Sequence, residues 1–144
     1  MLKPKRPQQF KLQQPTDIGA LAEVLMWFER VALPFLSEQQ FWQCQVALAE
    51  GFTNAVRHAH RDLPPKTAID IEVRANVRFL EIKIWDRGKP FDLQSKLREL
   101  SQSEEDPLGK EGGRGLLFIQ QLTDEMSYVR TRDRRNCLTI RKNL

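Results

Sequence analysis

The stretch Leu48-Ala-Glu-Gly-Phe-Thr-Asn-Ala-Val-Arg-His-Ala-His60 decides how this chain is read. Glu50, Asn54 and His58 recur in it at four-residue steps. At about 100° per residue such steps keep side chains on one slowly drifting stripe of a helix, here an acid, an amide and an imidazole. Val46, Ala47, Phe52, Ala55, Val56 and Ala59 occupy other positions of the same helix and are apolar or small enough to lie against a sheet. One helix therefore offers both a packing face and a polar ladder.

Working outward, Ser37 with Gln40 three residues later is a capping-box pattern, and it predicts a helix from there to about His60, closed by Pro64 and Pro65. Upstream, residues 1–8 read as a loose tail and Phe10-Lys11-Leu12 as a short strand. Thr16 or Asp17 then caps a helix whose apolar stripe is Ile18, Leu21, Val24, Leu25, Phe28 and Val31, with Pro34 as its stop. Downstream, Ile69, Ile71 and Val73 alternate with polar residues, as do Leu80, Ile82 and Ile84 after a turn around Ala75 to Arg78. That pattern predicts a hairpin with one face inward. Leu93, Leu97 and Leu100 predict a short helix, Ser101 to Lys110 a polar mobile segment, and Gly112-Gly113-Arg114-Gly115 a glycine-rich turn feeding another helix. Two closing strands are expected near Glu125 to Thr131 and Cys137 to Lys142.

The 144 residues suit one domain, placed at residues 9–144, and 40% hydrophobic with 29% charged residues argues against general disorder. The net charge of +4 fits an anionic ligand, an acidic partner or nucleic acid. Basic residues gather at Lys3, Lys5 and Arg6 and between Arg130 and Lys142, but no aromatic residues are interleaved with those arginines to stack on bases. Direct nucleic-acid binding is therefore not expected. Cys44 and Cys137 lack the spacing of a metal or redox pair and read as reduced packing residues. No stretch approaches a membrane span or a secretory leader, so a cytoplasmic location is expected.

Three segments carry the chemistry. Glu50 is placed to orient or deprotonate a nucleophile, and Asn54 to give one oxygen to a magnesium ion that takes its other ligands from phosphates and water. His58 reads as support for the helix end. Asp86, ending a strand, would accept a hydrogen bond from the exocyclic amine of a base, and Gly88 would allow a close backbone approach. Gly112, Gly113 and Gly115 would bring backbone amides to phosphate oxygens at a helix N-terminus. Alone, each segment is also a solvated face, a plain turn or a flexible loop; in this order they fit one nucleotide. The chain has no GxxxxGK[ST] P-loop, no Rossmann glycine fingerprint after a first strand and no ordinary protein-kinase signature.

At these segments the chain resembles the histidine-kinase-like ATPase superfamily with the Bergerat ATP-binding fold, and within it the anti-sigma-factor serine-protein kinases of the RsbW type. Glu50 to Ala59 looks like the N box, Asp86-Arg-Gly88 like the first glycine box, and Glu111-Gly-Gly-Arg-Gly115-Leu like the second. The resemblance implies an α+β fold, a two-layer sandwich whose mixed, mostly antiparallel sheet is covered on one face by helices. It implies ATP and magnesium as cofactors, with Glu50 as catalytic base, Asn54 as magnesium ligand and Asp86 as adenine reader beside Gly88. Gly113, Arg114 and Gly115 would lie at the triphosphate, Thr139 would hold Asp86 or a water, and the segment from Asp92 to Lys110 would be the ATP lid. The implied partners are a STAS-type antagonist, whose serine or threonine is phosphorylated, a sigma factor sequestered when the antagonist is unavailable, and a second copy in a homodimer. One departure is Pro90, where the first glycine box usually has its second glycine. The alternative function is an ATP-gated protein-binding module without kinase activity.

Overall fold

The computed structural model describes residues 3–102 and 114–144. Strand β1 (Gln8–Pro15) leads into a 3-10 turn over Ile18–Ala20 and helix α1 (Leu21–Ala32). Helix α2 (Glu38–Asn54) runs into a π-helical turn over Ala55–Ala59, and the hairpin of β2 (Ala68–Ala75) and β3 (Phe79–Asp86) follows. Helices α3 (Leu93–Ser101) and α4 (Arg114–Leu122) precede the final hairpin of β4 (Glu125–Arg130) and β5 (Asn136–Asn143). The sheet order is β1-β2-β3-β5-β4, and every pairing among the described strands is antiparallel.

The helix ends follow from local chemistry. Asp17 caps the 3-10 turn by accepting from Gly19 N–H at 2.9 Å, and the main helix begins only afterwards. At α2 the capping box closes: Gln40 N–H donates to Ser37 Oγ at 3.2 Å and Ser37 N–H to Gln40 Oε1 at 2.9 Å. Pro34 lies within a 3-10 turn, Leu33–Phe35, that ends α1. Beyond Asn54 the helix widens, and His60 N–H reaches back five residues to Ala55 O at 2.9 Å. Such wide turns gather at functional sites.

The hairpin alternation holds in three dimensions. Ile69, Ile71, Val73, Leu80, Ile82 and Ile84 are all buried against Val24, Phe28, Leu48 and Phe52 from the helices. The α1 stripe packs on the core as expected at Leu21, Val24, Leu25, Phe28 and Val31 and is wider than expected. Trp27 and Ala32 join the core, while Ile18, which precedes the α-helix in the 3-10 turn, is 39% exposed. The segment expected to be a loose tail is bonded to the hairpin turn, because Val77 N–H donates to Pro4 O and Asn76 Nδ2 to Lys5 O, both at 3.0 Å. Strand β1 itself already includes Gln8.

The other sheet face is polar and its charges alternate across the strands. Arg74, Glu81, Arg141 and Glu125 stand opposite one another in register. Glu81 lies between the two arginines, 3.6 Å from Arg74 Nε and 2.8 Å from Arg141 Nη2, and is itself only 6% exposed. Slipping one strand by a single residue would point its apolar side chains at this face, so the register is strongly specified. Much of the basic cluster noted in the sequence is spent here: Arg141 pairs Glu81 and Glu125, and Arg135 pairs Asp133 and Asp70.

Phe52 is fully buried at the centre of this core. Phe52→Ala is expected to destabilise the fold by about 3–5 kcal/mol, read as a lower denaturant midpoint with an unchanged slope.

Candidate nucleotide site

The site forms where α2, the end of β3 and the start of α4 meet. Glu50 and Asn54 are one turn apart on α2, in its regular α-helical part. An added Cβ at Gly115 would lie 2.7 Å from Glu50 Oε2, so the carboxylate rests against the first turn of α4 at a residue with no side chain. The acid of the ladder is thus in contact with Gly115 at the head of α4. Arg114, at the head of α4, stacks its guanidinium on Phe118 of the same helix, 5.2 Å from the ring centre.

Beside this contact is a cavity of about 220 Å³ lined by Asn54, His58, Ala59, Lys89, Phe91, Lys96 and Leu116. Two ammonium groups and an amide face it, an arrangement suited to an anionic ligand. The aromatic wall is braced from behind, since Phe91 packs on Tyr128 with ring centres 4.3 Å apart. Burial, reinforced by the Asp86 carboxylate and opposed by Arg130, pushes the Tyr128 phenol up to about 12. It is a neutral ring at physiological pH.

Asp86 and Gly88 do not line this cavity; they belong to the end of β3 and the turn that leads into Lys89. The Asp86 carboxylate is 5% exposed, and its Oδ1 accepts from Gly88 N–H at 2.9 Å and from Asn136 Nδ2 at 2.8 Å. Asn136 Nδ2 also donates to Gly88 O at 2.9 Å, and Arg130 Nη1 donates to that same oxygen at 3.0 Å and to Asn136 Oδ1 at 3.2 Å. On its other flank the turn is tied to the residue that closes the π-helical turn, for Arg87 N–H donates to His60 Nε2 at 2.7 Å. Gly88 is required by space: a Cβ there would come within 2.1 Å of Ala59 O. That oxygen belongs to the π-helical turn, so backbone meets backbone.

Of the residues expected at the site, Glu50 meets Gly115, Gly88 meets the turn that follows Asn54, and Asp86 bonds Gly88, with Arg114 beside Gly115 at the head of α4, whereas Gly113 lies outside the described residues, as do Gly112 and Lys110. The proposed lid is described from Asp92 to Gln102 and contains α3, capped by Asp92, which accepts from Ser95 N–H at 3.1 Å. Thr139 requires a correction. It pairs with Lys83, whereas the residue opposite Asp86 is Asn136. Successive residues of a strand face opposite sides, so Thr139, three places further along, lies on the helix-free face and cannot hold Asp86. The strand begins at Asn136 rather than Cys137, and Asn136 does the holding.

Asn136, Arg130, Lys89 and Lys96 were not foreseen as site residues. Only Lys89 carried a local signal, next to Gly88. The other three reach the site through strand register or helix orientation.

Asn136→Ala should leave Asp86 and the Gly88 carbonyl short of a buried donor, lowering stability by about 1–3 kcal/mol and weakening nucleotide binding. Chemical denaturation and a fluorescent-nucleotide titration check both effects. Gly88→Ala should remove nucleotide binding, because Ala59 O is backbone and cannot swing away.

A model of the histidine kinase-like ATPase domain matches residues 14–142. Among curated proteins, the serine-protein kinase RsbW of Oceanobacillus iheyensis is 39% identical over 85 residues, covering 57% of this chain and 53% of that protein. The serine-protein kinase RsbW of Staphylococcus aureus (strain bovine RF122) is 33% identical over 89 residues, 60% of this chain and 56% of that protein. The chain thus spans about half the length of these curated relatives. Among solved structures, the RsbU and RsbW domains of a Mycobacterium tuberculosis protein superpose with a TM-score of 0.65 at 14% identity, over 94% of this chain and 32% of that one. The SiaB–SiaC complex of Pseudomonas aeruginosa gives 0.61 at 15% identity, over 94% of this chain and 89% of that one. These two show a shared fold. No described helix is long and apolar enough to cross a membrane. With the family model spanning both ends of the sheet and the helix that carries Glu50 and Asn54, the chain belongs to the histidine kinase-like ATPase domain family.

Proposed function

We propose that this protein is an ATP-dependent serine/threonine protein kinase and anti-sigma factor. It transfers phosphate to a STAS-type antagonist and sequesters a sigma factor when that antagonist is unavailable, acting as a homodimer in the cytoplasm. The observation that carries the enzymatic reading is the Glu50 carboxylate against Gly115, one helical turn from Asn54. Binding ATP needs no base, but transferring its terminal phosphate to a hydroxyl does. The relatives named serine-protein kinase RsbW support the same activity.

The residues present fit ATP and magnesium. Among the described residues no group of three or more His, Cys, Asp or Glu side chains could hold a metal by itself. A single Asn54 oxygen suits magnesium, which keeps several waters and draws other ligands from phosphates. When bound, the ion would offset negative charge on the phosphate oxygens. Lys89 and Lys96 add fixed positive charge at the cavity, and Arg114 stands at the head of α4. Asp86, acceptor-only when ionised, is suited to a base that offers an exocyclic amine. Glu50 then orients the acceptor hydroxyl and takes its proton as the phosphate arrives.

Glu50→Gln is expected to retain ATP binding while slowing label transfer from γ-labelled ATP to a STAS-domain antagonist by about 10²–10⁴-fold. Binding without transfer by the unaltered protein would favour the ATP-gated module instead. Asp86→Asn should weaken ATP binding itself, and unchanged affinity would argue against the nucleotide assignment.

A further inference from the structure

His60 is 1% exposed and lies behind the Asp86–Gly88 turn. Its two ring nitrogens face partners that leave little freedom. The Arg87 backbone N–H, 2.7 Å from Nε2, can only donate, so Nε2 is the unprotonated nitrogen and the ring proton sits on Nδ1. On the other side Nδ1 is 2.7 Å from Thr16 Oγ1, and that hydroxyl is 2.7 Å from Thr67 O. A carbonyl can only accept, so the hydroxyl gives its proton to Thr67 and its oxygen receives the Nδ1 proton. Two independent ends demand the same neutral tautomer. Thr16 is itself fixed, with its backbone N–H donating to Pro65 O at 2.9 Å.

We propose that His60 is a positioning residue for nucleotide binding: as a neutral imidazole it holds the Arg87 amide, and with it the Asp86–Gly88 turn, and protonation at Nε2 releases that turn. The proposal rests on reading Asp86 as the base-recognising acid. Protonation would set one N–H against another at 2.7 Å, and one of them must move. Gly88 cannot advance because Ala59 O blocks it, so the strain falls on Arg87 and the adjoining Asp86.

The Asp86 carboxylate at the end of β3 and the Arg87 guanidinium beside it bear on the ring. Burial lowers the His60 pKa from 6.5; the Asp86 carboxylate opposes that shift and the Arg87 guanidinium reinforces it. The partners it bonds at Thr16 and Thr67 are uncharged. A neutral ring in the folded state therefore supports the turn fully above pH 6.5, and that support is lost as pH falls through the lower folded value.

The test is binding of a fluorescent ATP analogue with magnesium, between pH 8 and 4.5, to the unaltered protein, His60→Gln and His60→Leu. A glutamine keeps an acceptor for Arg87 but does not titrate. At pH 8 His60→Leu should bind about tenfold more weakly, the equivalent of one lost hydrogen bond, and His60→Gln within about threefold of the unaltered protein. Below pH 6.5 the unaltered protein should lose affinity more steeply than His60→Gln, the gap opening as pH falls through the lowered His60 value, a comparison that cancels His58 and the carboxylates common to both. Superimposable pH profiles would overturn the proposal, as would ¹⁵N chemical shifts placing the ring proton on Nε2, a readout that needs no variant to fold. Failure of the unaltered protein to bind the analogue even at pH 8 would instead overturn the nucleotide reading on which the proposal rests.

Discussion

The close approach of Gly88 to the Ala59 carbonyl is the constraint on which the site depends. Two pieces of backbone from different layers, the end of α2 and the end of β3, come together with no side chain between them. That approach requires glycine at position 88. It also involves the departure from α-helical pitch at Ala55, since the carbonyl that faces Gly88 belongs to the π-helical turn. The contact sets the chain just after Asp86 against the helical turn just after Asn54.

Around that contact the turn is held from two directions by different chemistry. Asn136 and Arg130, from the final hairpin, hold the Gly88 carbonyl and the Asp86 carboxylate, while His60, from the helix, holds the Arg87 amide. A buried carboxylate needs such donors, because an unsatisfied acceptor in this setting costs more than an ordinary hydrogen bond returns. The arginines of the last hairpin are divided accordingly. Arg130 serves the site, and Arg135 and Arg141 pair acids on the opposite sheet face. What reads along the chain as one basic cluster is therefore two unrelated uses of positive charge.

The hairpin of β2 and β3 was legible because strict alternation of Ile, Val and Leu with charged residues matches the period of a half-buried strand. The capping box at Ser37 was legible because its two bonds join residues three apart. The α1 stripe was legible from Leu21 to Val31, whereas Ile18 falls in the 3-10 turn before the helix and stays outside, and Trp27 joins the core beside the stripe. Thr139 was misplaced for a reason of parity, since the start of β5 at Asn136 sets which residues share the face of Asp86.

The Glu50–Asn54 ladder itself needed only sequence, for four-residue spacing within an α-helix puts both side chains on one stripe whatever surrounds it. The same holds for the strand-ending acid followed by glycine and for the glycines before α4. Tertiary structure alone decided that Asn136 rather than Thr139 supports Asp86, that Lys89 and Lys96 face Asn54, and that His60 rather than His58 is the buried histidine. Those relations are set by cross-strand register, by the packing of α3 over the cavity and by one widened helical turn. None is encoded in local spacing, because each depends on where a second, distant segment comes to rest.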